Sequence, residues 1–173
     1  MGYHLELPIS YSQFLKQLDE WKIDYKHFTH EPLISVQESK LIQEKLFGNY
    51  KENGHIKNLY LRDKRKNNIL LVAHQDAIID LKSLAGKIKM GRLSFGSRER
   101  LMENLGVLPG AVSPFAMITG VKNNVTIILD RNLKSYKKIF AHPLENNHTL
   151  EITFDQLEKF FKKIYVTPYW TDL

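Results

Sequence analysis

Two β-rich runs, Ile56 to Asp63 and Asn68 to His74, are separated only by Lys64-Arg65-Lys66-Asn67. Four polar residues ending in asparagine suit a hairpin connection, which commits the middle of the chain to an antiparallel pair. Helix start signals lie on both sides of it. Ser10 or Ser12 can cap a helix to about Ile23, along which Phe14, Leu15, Leu18 and Trp21 recur on one face. Ser35-Val36-Gln37-Glu38 reads as a capping box opening a helix to about Leu46, and Thr153-Phe154-Asp155-Gln156 as another opening one to about Ile164. Asp80 to Ile88 and Ser97 to Leu105 are further helical stretches, the second ended by Gly106, and Gly48 to Gly54 reads as a polar loop. Short strands are expected at Tyr25 to Thr29, Phe115 to Thr119, Val125 to Asp130, Ile139 to His142 and Thr149 to Thr153, with the second and third joined around Asn123-Asn124. Intermixed strands and helices of this kind predict an α/β fold, a central mixed sheet with helices packed on it, rather than a repeated βαβ array. The tail Val166 to Leu173, carrying Pro168, Tyr169 and Trp170, is expected to pack locally.

A length of 173 residues with 43% apolar content is enough for one core, so a single domain over 1–173 is expected, its centre at about 11–161. No apolar run approaches the roughly 20 residues that cross a bilayer, and Met1-Gly2-Tyr3-His4-Leu5-Glu6 lacks a basic segment followed by an apolar one. A cytoplasmic protein with no membrane partner is the expectation. The absence of cysteine excludes disulfide scaffolds, thiolate metal sites and a Cys-His hydrolase. A net charge of +6, gathered at Lys51 to Lys66, Lys82 to Lys89, Arg92 to Arg100 and Lys134 to Lys138, fits a polyanionic partner, although any one run reads equally well as a solvated face.

Three short segments carry the chemistry. In Lys57-Asn58-Leu59-Tyr60-Leu61-Arg62-Asp63, alternation sends Leu59 and Leu61 to the core and leaves Lys57 and Asn58 near a sheet edge or pocket mouth, where a phosphate-binding lysine belongs. In Gly110-Ala111-Val112-Ser113-Pro114, glycine allows close approach and proline stiffens the exit, so backbone groups of the loop can hold a carbonyl oxygen as charge develops on it. His142 precedes Pro143, which restricts it to extended geometry at a strand end; it can orient substrate, stabilise the loop or transfer a proton. Asn146 and Thr149 are read as turn chemistry around it. A Gly-x-Ser-x-Gly elbow, a His-Glu-x-x-His helix and a Gly-x-Gly-x-x-Gly fingerprint are all missing, and His142, His148 and Glu145 match no strong metal spacing, so neither metal nor cofactor is expected. The pairs His27/His30 and His55/His74 read as scattered surface or core histidines. A basic strand entry, a glycine loop and a strand-end histidine without a nucleophile together point to hydrolysis of an aminoacyl ester.

From about Tyr11 to Phe161 the chain resembles the prolyl-tRNA-synthetase-associated domain family, also called the YbaK or ProX/PrdX editing family, and among it the freestanding members that act on alanine mischarged onto proline tRNA. The resemblance is carried by Gly54 to Asp63, Arg92-Leu93-Ser94-Phe95-Gly96-Ser97, Leu105 to Phe115, Leu129-Asp130 and His142 to Asn146. It implies a YbaK-like fold and cleavage of the ester that joins a wrong amino acid to the terminal adenosine of tRNA. It further implies that Lys57 contacts the phosphate near that adenosine, that Gly110 and its loop hold the ester, and that His142 helps shape the site. Asn58, Ala111, Val112, Ser113, Pro114, Ala141 and Asn146 would line the substrate. The chemistry it implies is substrate-assisted: the vicinal ribose hydroxyl helps activate water, and no covalent enzyme intermediate forms. The implied partner is the acceptor end of mischarged tRNA(Pro), met by a monomer in trans or beside prolyl-tRNA synthetase. Relatives that remove cysteine share the lysine and glycine-loop motifs, so a Cys-tRNA(Pro) or other small-amino-acid deacylase is the first alternative. A non-catalytic binder of a tRNA end or small effector is the second, and a generic basic nucleic-acid module the third.

Overall fold

The computed structural model describes residues 7–32, 36–47 and 53–173. Helix α1 (Tyr11–Glu20) starts at Ser10, whose hydroxyl accepts from the Gln13 amide while the Gln13 side chain accepts from the Ser10 amide, a complete capping box. It ends three residues before Ile23 because Lys22 turns left-handed (φ +55°). The Lys22 and Ile23 amides then donate back to the Asp19 and Leu18 carbonyls. This is a Schellman stop made by lysine where glycine is usual. The same stop, with Lys89 and Tyr165 left-handed, ends α3 (Leu81–Lys87) and α6 (Phe154–Lys163). Between them, α2 spans Val36–Phe47, with the serine of its expected capping box outside the described residues. Helix α4 (Arg98–Leu105) runs from a Ser97 cap to left-handed Gly106.

The strands are β1 (Lys26–Thr29), β2 (Asn53–Arg62), β3 (Asn68–His74), β4 (Ser94–Phe95), β5 (Thr126–Asp130), β6 (Lys138–Ala141), β7 (His148–Thr153) and β8 (Tyr169–Thr171). They form one mixed sheet in the order β1-β7-β6-β2-β3-β5-β8, with β4 beside β2. The β2–β3 hairpin pairs Ile56 with His74 through Arg62 with Asn68, and Asp63 closes it by accepting from the Asn67 amide and side chain. Strand β3 is buried on both faces, as its unbroken apolar run requires. Leu70 and Val72 enter the larger core with Phe14, Leu18, Phe115 and Phe160, whereas Ile69 and Leu71 enter a smaller core with Leu61 and Leu84 of α3.

Four expectations are corrected. Phe115 to Thr119 is helical: a 3-10 turn at Pro114–Ala116 passes into α5 (Met117–Gly120) and a second turn to Asn123. Ser113 caps this run by accepting from the Phe115 amide, and Phe115, Ala116 and Met117 are all buried, whereas an alternating strand would bury every other residue. Strand β5 therefore joins no hairpin there and pairs parallel with β3. Strand β2 starts at Asn53 rather than Ile56, with Gly54 inside it; a Cβ at Gly54 would lie 3.1 Å from the Lys138 carbonyl oxygen. The tail does more than pack locally, because β8 extends the sheet in parallel with β5.

Candidate active site

Strand β2 lies in the middle of the sheet, yet one of its edges is incomplete. On one side β3 pairs with Ile56 through Arg62. On the other, β6 pairs only with Asn53 to His55 and β4 only with Leu61 and Arg62, so among the described residues no strand covers 56–60. The sheet forks where β6 ends at Ala141. Lys57 and Asn58 sit at this fork, which is how a central strand acquires the edge that the sequence led us to expect.

The two neighbours face opposite ways, as strand alternation requires. Asn58 shares a face with Ile56 and Tyr60, on the larger core where Ala111, Val112 and Ala141 pack; Lys57 follows Leu59 and Leu61 on the other face. The Lys57 ammonium donates to the Ala77 carbonyl in the loop after β3. Asn58 Oδ1 is shielded from solvent and has no hydrogen-bond partner among the described residues. A buried acceptor in that condition costs about 1–3 kcal/mol unless something donates to it.

The glycine loop is held by its own backbone. The Ala111 amide donates to the Leu108 carbonyl across Pro109 and Gly110, and Gly110 has φ +89°. This is the pattern of a type II turn, with proline first and glycine at the left-handed corner. The Ala111 amide is thus already used and is unavailable to a ligand, contrary to a loop of wholly unpaired amides; those of Gly110 and Val112 make no hydrogen bond among the described residues. Ser113 is buried as the cap of the following turn and Pro114 is buried in that turn, so both position the loop and neither presents a polar group. Around Gly110 the nearest neighbour is Asn146, whose Nδ2 would lie 3.4 Å from an added Cβ. The loop therefore meets the β6–β7 turn directly, and the Lys57 ammonium is engaged elsewhere, on the Ala77 carbonyl.

In that turn His142 follows buried Ala141, and its Nδ1 lies 2.7 Å from the His148 carbonyl oxygen and 3.5 Å from Thr149 Oγ1. A carbonyl only accepts, so Nδ1 carries the proton and Nε2 is a lone-pair acceptor in the neutral ring. Burial lowers the His142 pKa, the His148 carbonyl opposes the shift, and a charge on His30 adds to it. The ring is neutral at physiological pH.

Sequence reasoning read His27 and His30 as scattered histidines, weighed His148 only as a metal ligand and gave Tyr11 no site role. They gather because β1 pairs antiparallel with β7, placing Thr29 opposite His148 and Phe28 opposite Thr149. His30 Nε2 lies 2.8 Å from Thr149 Oγ1, and the His30 and His142 rings are 6.0 Å apart. On the other face Tyr11 stacks on His148 at 4.0 Å, while the Tyr11 hydroxyl lies 2.8 Å from His27 Nε2 and that nitrogen 3.1 Å from His148 Nδ1. The available signal was a histidine at each end of a short strand and one following Asn146-Asn147. No group of three or more acidic or histidine side chains positioned to hold a metal occurs among the described residues.

A mixed sheet that carries helices and forks at Lys57 and Asn58 defines the class as an α/β protein. The model of the aminoacyl-tRNA editing domain matches residues 43–160, and the chain belongs to that family: it is an aminoacyl-tRNA deacylase. It is 36% identical over 151 residues to the prolyl-tRNA editing protein ProX of Acetoanaerobium sticklandii, covering 86% of this chain and 88% of the relative. It is 28% identical over 166 residues to prolyl-tRNA synthetase associated domain-containing protein 1 of Danio rerio, covering 95% and 86%. Among solved structures, a candidate trans-editing enzyme for prolyl tRNA synthetase superposes with a TM-score of 0.71 at 17% identity, over 95% of this chain and 98% of that one. No helix among the described residues is long and apolar enough to cross a membrane.

Proposed function

We propose that the whole chain, 1–173, is one editing domain that hydrolyses alanine mischarged onto tRNA(Pro), acting in trans as a cytoplasmic monomer or beside prolyl-tRNA synthetase. The observation that carries this reading is the fork of β2, where a lysine and an asparagine acceptor border a gap in the strand pairing of the sheet. Lys57 leaves the Ala77 carbonyl for the phosphate beside the terminal adenosine. The Gly110 and Val112 amides receive the ester carbonyl as it becomes an oxyanion, with Asn146 bracing the turn. Water attacks with help from the vicinal ribose hydroxyl, and the products are free alanine and tRNA.

Ala141, Ile56 and Val112, which pack in one apolar cluster, are the residues that would set the size limit for the amino-acid side chain. A hydrolytic sieve is useful because one methylene separates small amino acids by only about 1–3 kcal/mol at a synthetic site. The test is a panel of tRNA(Pro) charged with alanine, cysteine, serine and proline. Alanine should be released fastest and proline at the buffer rate, and Lys57→Ala should lower kcat/KM for Ala-tRNA(Pro) by about 100-fold, the order of one lost charged contact to the transition state. Preference for cysteine would move the substrate within the class. Release no faster than buffer for every ester, with retained tRNA binding, would make the protein a binder and end the hydrolytic reading.

A further inference from the structure

The β1–β7 edge carries a polar chain that ends on His142. His30 Nδ1 lies 2.8 Å from the Glu31 carbonyl oxygen, so that nitrogen holds the His30 proton and Nε2 is its acceptor. Thr149 Oγ1, 2.8 Å from this Nε2, donates to it, which turns the hydroxyl lone pairs toward His142. His142 Nδ1–H then points between two acceptors, the His148 carbonyl at 2.7 Å and Thr149 Oγ1 at 3.5 Å. His142 Nε2 has no protein partner among the described residues. Thr149 is buried and His30 half-buried, so water competes poorly for either bond.

We propose that His30 and Thr149 are positioning residues that hold His142 as the Nδ1–H tautomer and so present its Nε2 lone pair as a hydrogen-bond acceptor for a hydroxyl or water at the ester site. This rests on the deacylase reading for its substrate, but not for its geometry. Neither residue touches substrate; each acts through the histidine ring. Thr149 fixes the second acceptor, and His30 fixes the Thr149 hydroxyl. Of the other groups at this edge, Glu145 interacts electrostatically with His148, and the side chains of His148 and His27 stand on the opposite face.

The experiment has two independent readouts. Long-range nitrogen–proton NMR on the native protein should show His142 protonated at Nδ1; protonation at Nε2 overturns the proposal whatever the activity. In Ala-tRNA(Pro) deacylation, Thr149→Val should lower kcat about fivefold with KM within twofold, while Thr149→Ser, which restores the hydroxyl, should return to within twofold of native. Equal kcat for the valine and native proteins overturns it. His30→Gln should raise the His142 midpoint in an NMR titration, since a like charge has been removed, and an unchanged midpoint counts against it. Should the valine variant not fold, the native tautomer and the glutamine titration still decide. A native Nδ1–H tautomer in a protein with no hydrolysis would fail the deacylase reading and leave the positioning chain standing.

Discussion

The loop from Gly106 to Phe115 and the fork of β2, both assigned to the proposed site, are built in opposite ways. The loop closes on itself through three hydrogen bonds: the Ala111 amide donates to the Leu108 carbonyl, the Phe115 amide to the Ser113 hydroxyl, and the Ala116 amide to the Ser113 carbonyl. Its apolar end is sealed by Phe115, whose ring lies 5.3 Å from Phe14 and 5.5 Å from Phe160. The fork keeps groups in reserve: among the described residues Asn58 Oδ1 is buried without a hydrogen-bond partner and Lys57 bonds to a single carbonyl. One region is rigid so that a few backbone amides stay aimed; the other carries unmet hydrogen-bonding capacity for a ligand to fill. Stability and recognition are therefore expected to separate between them.

The largest effect should come from the loop's anchor. Phe115→Ala should cost about 3–5 kcal/mol in denaturant unfolding, as a fully buried aromatic leaves a cavity between two other rings. A loss below about 1 kcal/mol would mean that the loop is not rigid by packing. At the root of the fork, His55 is buried and stacked on Phe140 at 4.8 Å, and burial together with nearby His74 lowers its pKa to about 4, with Asp76 opposing. The unfolded chain binds this proton near pH 6.5 and the folded one only near 4. The contribution is thus complete above pH 6.5 and is lost as pH falls toward 4, about 3 kcal/mol across the window. Unfolding midpoints at pH 7 and 4.5 should reveal it, and His55→Leu should flatten the dependence; an unchanged slope would remove His55 from the account.

Gly110→Ala should cost about 1–2 kcal/mol, because φ +89° is strained for any residue with a Cβ. It should also slow deacylation, and retention of full kcat/KM would show that the turn does not aim the ester. The smallest effect has the opposite sign. Asn58→Leu replaces an unmatched acceptor by apolar surface, so the protein should gain up to about 1 kcal/mol while kcat/KM falls about tenfold. If stability drops instead, Asn58 serves the fold and the contrast between loop and fork is wrong.

Much of this architecture could be read directly from short segments. The cap at Ser10, one of the two serines proposed for it, the Thr153 cap, the helices opening at Asp80 and Ser97, the Lys64 to Asn67 hairpin and the helix end at Gly106 all appear where the sequence predicts them. The Thr153 box shows the limit: Thr153 caps Gln156 as expected, but the Gln156 side chain reaches 132 residues away to the Asp24 amide instead of turning back. The helix ends near Ile88 and Ile164 were legible, but the left-handed residues that make them, Lys89 and Tyr165, and Lys22 after the first helix, were hidden because no glycine marks them; the Ile23, Met90 and Val166 amides fold back there and impose a left-handed turn on residues that would not choose it.

The sequence by itself determined the caps, turns, buried runs and chemical repertoire of the site, because each depends on hydrogen bonds or side-chain periodicity within a few residues. Tertiary structure alone decided that β8 joins the sheet, that β2 parts from β6 after His55, and that His30 meets Thr149 across 119 positions. Those outcomes depend on which strands share an edge, and strand order is selected by burial of both sheet faces at once, a condition no local stretch of sequence contains.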